Sequence, residues 1–334
     1  MSTELFWEFL ITGVSSFLLT AILSHFIIPI LRGKKIGQSI RPEGPTWHRS
    51  KEGTPTMGGI CFIMAIMLVL TGMAIYYAVH HRQSELIPLA LTMALAVMNG
   101  MIGFVDDYRK LMKKQNEGLK AHQKFLLQVV AATAYVLLLK FLGYIDTELH
   151  IPFTNRSVEL GIVYYIFALF LIVGIVNSVN LTDGIDGLAG SVTLVVSAFF
   201  AFVAFSFLNV SLTLISGALI GALIGFLIYN LHPAKVFMGD TGSLFLGGAV
   251  TGMAFVINEP MIIFLAGGVY VLEALSVILQ VGSFKLRNKR IFKMAPIHHH
   301  FEMCGWNENK ICFVFSGVTL FAGIIGVLLA VFGC

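Results

Sequence analysis

IPLALTMALAVMNGMIGFVDDYRK, residues 87–110, passes from an apolar run into two adjacent aspartates and then into basic residues. Residues 87–105 carry no charge, and a helix of about 20 such residues is long enough to cross the hydrocarbon core of a bilayer. Asp106 and Asp107 follow at its end, with Arg109, Lys110, Lys113 and Lys114 behind them. Apolar runs of similar length recur along the rest of the chain. Acidic residues are expensive near hydrocarbon, so their placement at the end of such a run calls for a function.

The composition agrees with repeated membrane crossing. The 334 residues are 57% hydrophobic and 12% charged, about half the charge of an ordinary soluble domain, and the mean hydropathy is +0.86. A soluble protein of this length could not enclose so much apolar surface. The first apolar run has neither a basic leader nor a small-residue cleavage site, and is expected to stay as the first span. The periodicity and run lengths predict ten helices, at roughly 6–31, 58–79, 87–105, 125–143, 161–179, 190–208, 212–230, 243–258, 260–282 and 311–332. The expected fold is an all-α integral membrane protein, a bundle of about ten transmembrane helices forming one domain over 1–334. Pro29 is a possible kink in the first span, Glu273 falls inside the ninth and is expected to be paired, and the 144–160 connection is a candidate short hairpin.

Charge sets the expected orientation. Loop 32–57 carries Arg32, Lys34, Lys35, Arg41, Arg49 and Lys51, and loop 106–124 carries Arg109, Lys110, Lys113, Lys114, Lys120 and Lys124. Lys235 lies in loop 231–242; Lys285, Arg287, Lys289, Arg290, Lys293 and Lys310 lie in loop 283–310. Only Arg82, Lys140 and Arg156 of the 22 basic residues fall toward the other side. Basic loops stay in the cytoplasm, which predicts both termini outside and these loops inside. Cys61, Cys304, Cys312 and Cys334 have no metal-ligand or disulfide spacing.

Every chemically suggestive cluster falls in those basic-side connections. Besides Asp106 and Asp107 there is Asn180-Leu-Thr-Asp183-Gly184-Ile-Asp186-Gly187, then Asn230 to Ser243 with Phe237 and Asp240, then Pro296-Ile-His298-His299-His300-Phe-Glu302. Singly, each has an ordinary reading: Asp183, Asp186 and Asp240 as helix caps, the lysines as topology signals or contacts to anionic lipid. Together they suit phosphoryl transfer. Carboxylates without a cysteine–histidine cage favour a hard cation, and Mg²⁺ takes one or two carboxylates plus substrate phosphates. Lys110, Lys114 and Lys124 would offset phosphate charge. The glycines after Asp183 and Asp186 let backbone N–H groups approach a ligand.

These stretches resemble the polyprenyl-phosphate N-acetylhexosamine 1-phosphate transferases, over essentially the whole chain. The superfamily resemblance rests on Phe104-Val-Asp-Asp-Tyr-Arg-Lys110, Asn180-Leu-Thr-Asp-Gly-Ile-Asp-Gly-Leu-Ala189 and Phe237-Met-Gly-Asp-Thr-Gly-Ser243. Ser50-Lys-Glu-Gly-Thr-Pro-Thr-Met-Gly-Gly59 and Ala295-Pro-Ile-His-His-His-Phe-Glu302 are similar to the branch that transfers phospho-N-acetylmuramoyl-pentapeptide. The resemblance implies a bacterial inner-membrane, multi-pass homodimer with its active site on the cytoplasmic face. It implies Mg²⁺-dependent transfer from UDP-MurNAc-pentapeptide to undecaprenyl phosphate in the bilayer, giving lipid I and UMP, with no role for nucleic acid. Carried over, Asp240 is the metal ligand and Asp106 and Asp107 are the catalytic pair. Lys51, Thr56, Lys110, Lys114, Asn177, Asp183, Gly184, Asp186, Asn230 and Phe237 line the nucleotide and its surroundings, with Lys124 and Asn180 beside them. His298, His299 and His300 lie by the sugar-peptide, His299 being the catalytic candidate.

Two chemical routes fit these residues. Either the lipid phosphate oxygen attacks the β-phosphorus directly, oriented or deprotonated by Asp106, or an aspartate first forms a covalent phospho-sugar. The direct route is preferred, because a phosphate monoester with a second pKa near ~6 is already largely dianionic at neutral pH. The residues leave three assignments for Asp107: a share in the metal, a pair with a lysine, or orientation of Asp106. Rival readings are a GlcNAc-1-phosphate transferase, an intramembrane aspartyl protease built on Gly239-Asp240, and a secondary transporter.

Overall fold

The computed structural model describes residues 3–33, 51, 53–113, 118–150 and 156–332. Twelve α-helices run in chain order through these residues: α1 Thr3–Gly33, α2 Gly59–Val79, α3 Ile87–Lys113, α4 Ala121–Phe141, α5 Ile162–Thr182 and α6 Leu188–Ser206, then α7 Val210–Asn230, α8 Gly239–Val256, α9 Ile263–Ala266, α10 Gly268–Arg287, α11 Ile297–Glu302 and α12 Glu308–Phe332. Among the described residues, nine segments are long and apolar enough to span a membrane. The fold is all-α and membrane-spanning, as composition required. Between α4 and α5 lies the expected hairpin, β1 Glu148–His150 paired antiparallel with β2 Ser157–Glu159, Leu149 facing Val158.

Of the three helices outside those nine, α9 and α11 are short and α8 is the long one. Its 18 residues include Asp240, Thr241, Ser243, Thr251 and several glycines, and it is buried from Thr241 to Phe255. It needs no lipid-compatible surface, because α3 and α5 pack along it. Gly103 of α3 lies so close to the backbone of Asp240 that a methyl group there would overlap the carbonyl. Small residues at such crossings let two backbones approach. That approach sets the end of α3 beside the first turn of α8.

Several boundaries depart from the sequence reading. α3 continues two turns past Val105, so Asp106 and Asp107 are helical and do not begin a loop. The extension is held by Lys110, whose Nζ lies 2.6 Å from Asp106 Oδ2, an i,i+4 ion pair. α4 and α8 begin earlier than expected, which places Lys124 and Asp240 in first turns. The ninth span is not one helix: a short 3-10 turn at Pro260–Ile262 leads into α9, and the chain breaks at Gly267 before α10. The histidine block forms the one-and-a-half-turn α11 where a loop was expected. Pro29 sits inside α1 without ending it.

Candidate functional site

The adjoining ends of α3, α4, α5, α7, α8 and α12 meet at one end of the bundle, and nearly all the candidate residues lie there. At the centre, oxygens of Asp106, Asp107 and Asp240 lie within 4.8 Å of one another. Lys110 reaches into this group from α3, with Nζ 2.6 Å from Asp106 Oδ2, 3.1 Å from Asp240 Oδ2 and 3.7 Å from Asp107 Oδ1. Lys124, from the first turn of α4, lies 2.9 Å from Asp240 Oδ2 and 3.3 Å from Asn180 Oδ1. Asn180 in turn donates to Asp240 Oδ1 at 3.0 Å and to the Ser243 hydroxyl at 2.8 Å. Asp240 is thus gripped from three helices.

The two neighbouring aspartates are held differently. Asp106 Oδ1 accepts the backbone N–H of Leu119 at 2.6 Å, which ties the α3–α4 connection to the site. Asp107 Oδ2 accepts both the N–H (2.9 Å) and the hydroxyl (2.8 Å) of Thr241. That carboxylate docks the end of α3 onto the first turn of α8, where acidic groups also meet the positive end of the helix. Gly239, at φ +70°, makes the turn into α8 beside the Asp107 carboxylate and the Thr56 hydroxyl. Thr56 belongs to a strand-like segment joined to the next by backbone bonds: Phe237 N–H donates to Pro55 C=O, and Gly58 N–H donates to Phe237 C=O, both at 2.8 Å. Thr56 and Phe237 are therefore neighbours of the acidic centre despite their distance in sequence.

A second polar cluster lies around Lys51. Its Nζ is 2.6 Å from both Asp186 Oδ1 and Glu308 Oε1. Asp186 Oδ2 also meets His232 Nδ1 at 2.9 Å and accepts the N–H of Ala234 at 3.0 Å, while Glu308 accepts the N–H of Asp186 at 2.8 Å. Asp183 lies between the two clusters, with no cation paired to its carboxyl among the described residues. Burial, with the carboxylates of Asp240, Asp107 and Asp186 nearby, pushes it well above the usual carboxylate range. Asn230 is buried; its Nδ2 donates to Val236 C=O at 2.9 Å, and its Oδ1 has no hydrogen-bond partner among the described residues.

The histidine block joins the same region through His298. Its Nδ1 is 3.1 Å from Glu273 Oε2 of α10, so the intramembrane glutamate is paired as expected. Gly184 packs against its ring, and a methyl group at 184 would overlap Nε2. His299 Nδ1 is 2.5 Å from Glu302 Oε2, and the 298 and 299 rings lie 4.1 Å apart. His300 turns elsewhere, accepting the Lys293 N–H at 3.1 Å and packing on Phe292 and Phe301. Asn177 sits deeper and trades hydrogen bonds with Gln128, at 2.8 and 3.5 Å. Lys114 lies outside the described residues.

Three contributors escaped the sequence reading: Gln128, His232 and Glu308. Gln128 follows Lys124 by four residues and so shares its face of α4, while Glu308 is another acid at the start of an apolar span. Both signals were present. His232 offered none beyond its place after Asn230.

The acidic centre suits a small, hard cation. Its donors are all carboxylate oxygens, and a cation, the Lys110 ammonium, already lies among the three side chains. Phosphate groups entering beside it would face Lys110 and Lys124.

Comparison with known proteins bears on the same residues. The profile of glycosyl transferase family 4 matches residues 89–258, from α3 through α8. Phospho-N-acetylmuramoyl-pentapeptide-transferase signature 1 matches residues 51–63, which include Lys51 and Thr56. Proteins named phospho-N-acetylmuramoyl-pentapeptide-transferase are similar over nearly the full length. That of Staphylococcus carnosus is 46% identical over 323 residues, 96% of this chain and 99% of its own. That of Clostridium novyi is 46% identical over 317 residues, 94% of each, and that of Bacillus cytotoxicus 42% identical over 322, 96% and 98%.

Proposed function

The chain belongs to the phospho-N-acetylmuramoyl-pentapeptide transferases of glycosyl transferase family 4, and we propose that it moves phospho-MurNAc-pentapeptide from UDP-MurNAc-pentapeptide to undecaprenyl phosphate, giving lipid I and UMP. The observation that supports this most directly is the convergence of three carboxylates and two lysines at one end of a membrane bundle. A site there can be reached both by a polar nucleotide and by the headgroup of a membrane lipid. The basic connections beside it favour the cytoplasmic face of a bacterial inner membrane.

In this reading Asp240, with Asp106 and Asp107 beside it, would hold Mg²⁺, whose chemistry there is neutralisation of charge on the diphosphate and on the departing UMP. Lys110 and Lys124 bind phosphate oxygens and stabilise charge in the in-line transition state. Asp106 orients the acceptor phosphate, one of whose oxygens forms a bond to the β-phosphorus as the bond to the bridging oxygen of UMP breaks. The acceptor oxygen is already anionic, so no enzyme nucleophile is required. Asp107, fixed by Thr241, holds the end of α3 in place. Lys51, Thr56, Asp183, Gly184, Asp186, Asn230 and Phe237 surround the uridine, with Phe237 stacking on the base. His299 serves the sugar-peptide end. The enzyme acts as a homodimer in the membrane.

The test is a purified-membrane assay offering UDP-MurNAc-pentapeptide and UDP-GlcNAc separately, each with undecaprenyl phosphate and Mg²⁺. Release of UMP with formation of a lipid-linked muramoyl-pentapeptide only from the first donor is expected. Product from UDP-GlcNAc alone, or a phospho-sugar trapped on protein without acceptor, would refute the proposal.

A further inference from the structure

Glu273 and His298 are both fully buried, yet each keeps one polar atom without a partner among the described residues: Oε1 of the glutamate and Nε2 of the histidine. Buried polar atoms are almost always satisfied, and a desolvated carboxylate–imidazole pair is costly to maintain when its remaining valences are empty. Packing does not explain it either, because an apolar pair would fill the same space at lower cost. With the glutamate as a carboxylate, which only accepts hydrogen bonds, and the imidazole neutral, the ring proton sits on Nδ1, 3.1 Å from Glu273 Oε2. The lone pair of the neutral ring is then on Nε2, against Gly184 and the turn that runs from Asp183 to Asp186.

We infer that Glu273 is a positioning residue: it holds His298 with the Nε2 lone pair facing the 183–186 turn, where that atom accepts a hydrogen bond from a hydroxyl or amide N–H of the nucleotide-sugar. The inference rests on the transferase reading above and adds a neutral recognition element to a site otherwise built from charges. Gly184 is part of the device, since any side chain there would fill the space in front of Nε2. His299, with its own carboxylate at Glu302, is oriented separately.

The test uses the full-length protein and follows UMP release against UDP-MurNAc-pentapeptide concentration. Glu273→Gln keeps the shape but no longer dictates which ring nitrogen carries the proton. KM is expected to rise about tenfold with kcat within about twofold and an unchanged melting temperature, and Glu273→Gln/His298→Ala should be no worse than His298→Ala alone. Should Glu273→Gln not fold, Glu273→Asp, which keeps a carboxylate but draws it back from the ring, is expected to raise KM in the same way. An unchanged KM in either variant, a fall confined to kcat, or losses that add in the double variant would each overturn the inference. A wild-type protein that releases no UMP would instead sink the transferase reading itself.

Discussion

Replacing Asp240 by Asn separates what this side chain does for the fold from what it does for the reaction. Its carboxylate has two lysines at 2.9 and 3.1 Å and two aspartates with oxygens no more than 4.8 Å away. At an effective dielectric of about 20, each attraction contributes roughly 5 kcal/mol and each repulsion removes at least roughly 3.5 kcal/mol. The Coulomb balance favours the charge by at most about 3 kcal/mol, and the cost of desolvating a carboxylate that is 20% exposed is itself several kcal/mol. The two terms nearly cancel. An amide keeps an acceptor for Lys124 and leaves two aspartates facing two lysines, so the variant should fold with a stability within about 2 kcal/mol of the parent.

Its chemistry should not survive. Losing one preorganised charged group at a developing charge typically costs ~10²–10³ in kcat, and loss of a metal ligand adds to that. We therefore expect Asp240→Asn to reduce UMP release by at least about 100-fold, with residual activity requiring more Mg²⁺. The assay is steady-state UMP release across a Mg²⁺ titration, run beside thermal unfolding of the same detergent-solubilised sample. A rate within about twofold of the parent at equal Mg²⁺ would remove Asp240 from the cation site. A collapse in thermal stability would show that the Coulomb balance above is wrong.

Other perturbations probe separate links. Asp183 has a folded-state pKa raised above its unfolded value, so its contribution is fully present at acid pH and is lost as pH rises above ~4 toward the folded value; without divalent cation, Asp183→Asn should melt higher than the parent at pH 7, and the gap should close toward pH 4. An equal gap at both pH values would contradict the burial argument. Lys51→Met leaves Asp186 and Glu308, only 2% and 8% exposed, without their cation, and should cost about 3–5 kcal/mol in denaturant unfolding; an unshifted midpoint would mean that the bridge contributes nothing. Gly221 of α7 abuts the backbone of Gly13 in α1 so closely that a methyl overlaps it; Gly221→Ala should lower stability by about 1–3 kcal/mol without changing KM, and a neutral result would show that the two helices can part freely.

The spans were legible because hydrocarbon imposes one length and one composition on them. Helix ends were not, because nothing about apolar run length says where a helix stops once it leaves the apolar layer. α3 runs on to Lys113 since Asp106 and Lys110 pair along its side, a local stabilisation that polarity alone disguises as a loop. Gly267-Gly268 in the ninth span was a readable break, but its surroundings are apolar enough to pass for a continuous helix. α11 is six residues long, too short to be stable alone; it exists because His298 is anchored to Glu273 and Phe301 stacks on Trp306.

For the site, composition and spacing picked out the residues but not their pairing. Lys51 was read with the nucleotide, and in the fold its nearest groups are Asp186 and Glu308, from segments 135 and 257 residues away. Asp107 shows most clearly what was missing. Sequence left it a share in the metal, a lysine partner or a role in orienting Asp106; the fold gives its Oδ2 to Thr241 twice over and only a 3.7 Å approach to Lys110. No one-dimensional pattern contains that contact, because it exists only after Gly103 lets α3 lie against α8. The adjacent aspartates thus divide the work by geometry: on a helix they point about 100° apart, one toward Lys110 and the Leu119 N–H, the other into the first turn of α8. A pair of identical side chains becomes a group that pairs with Lys110 in the acidic centre and a group that holds the frame.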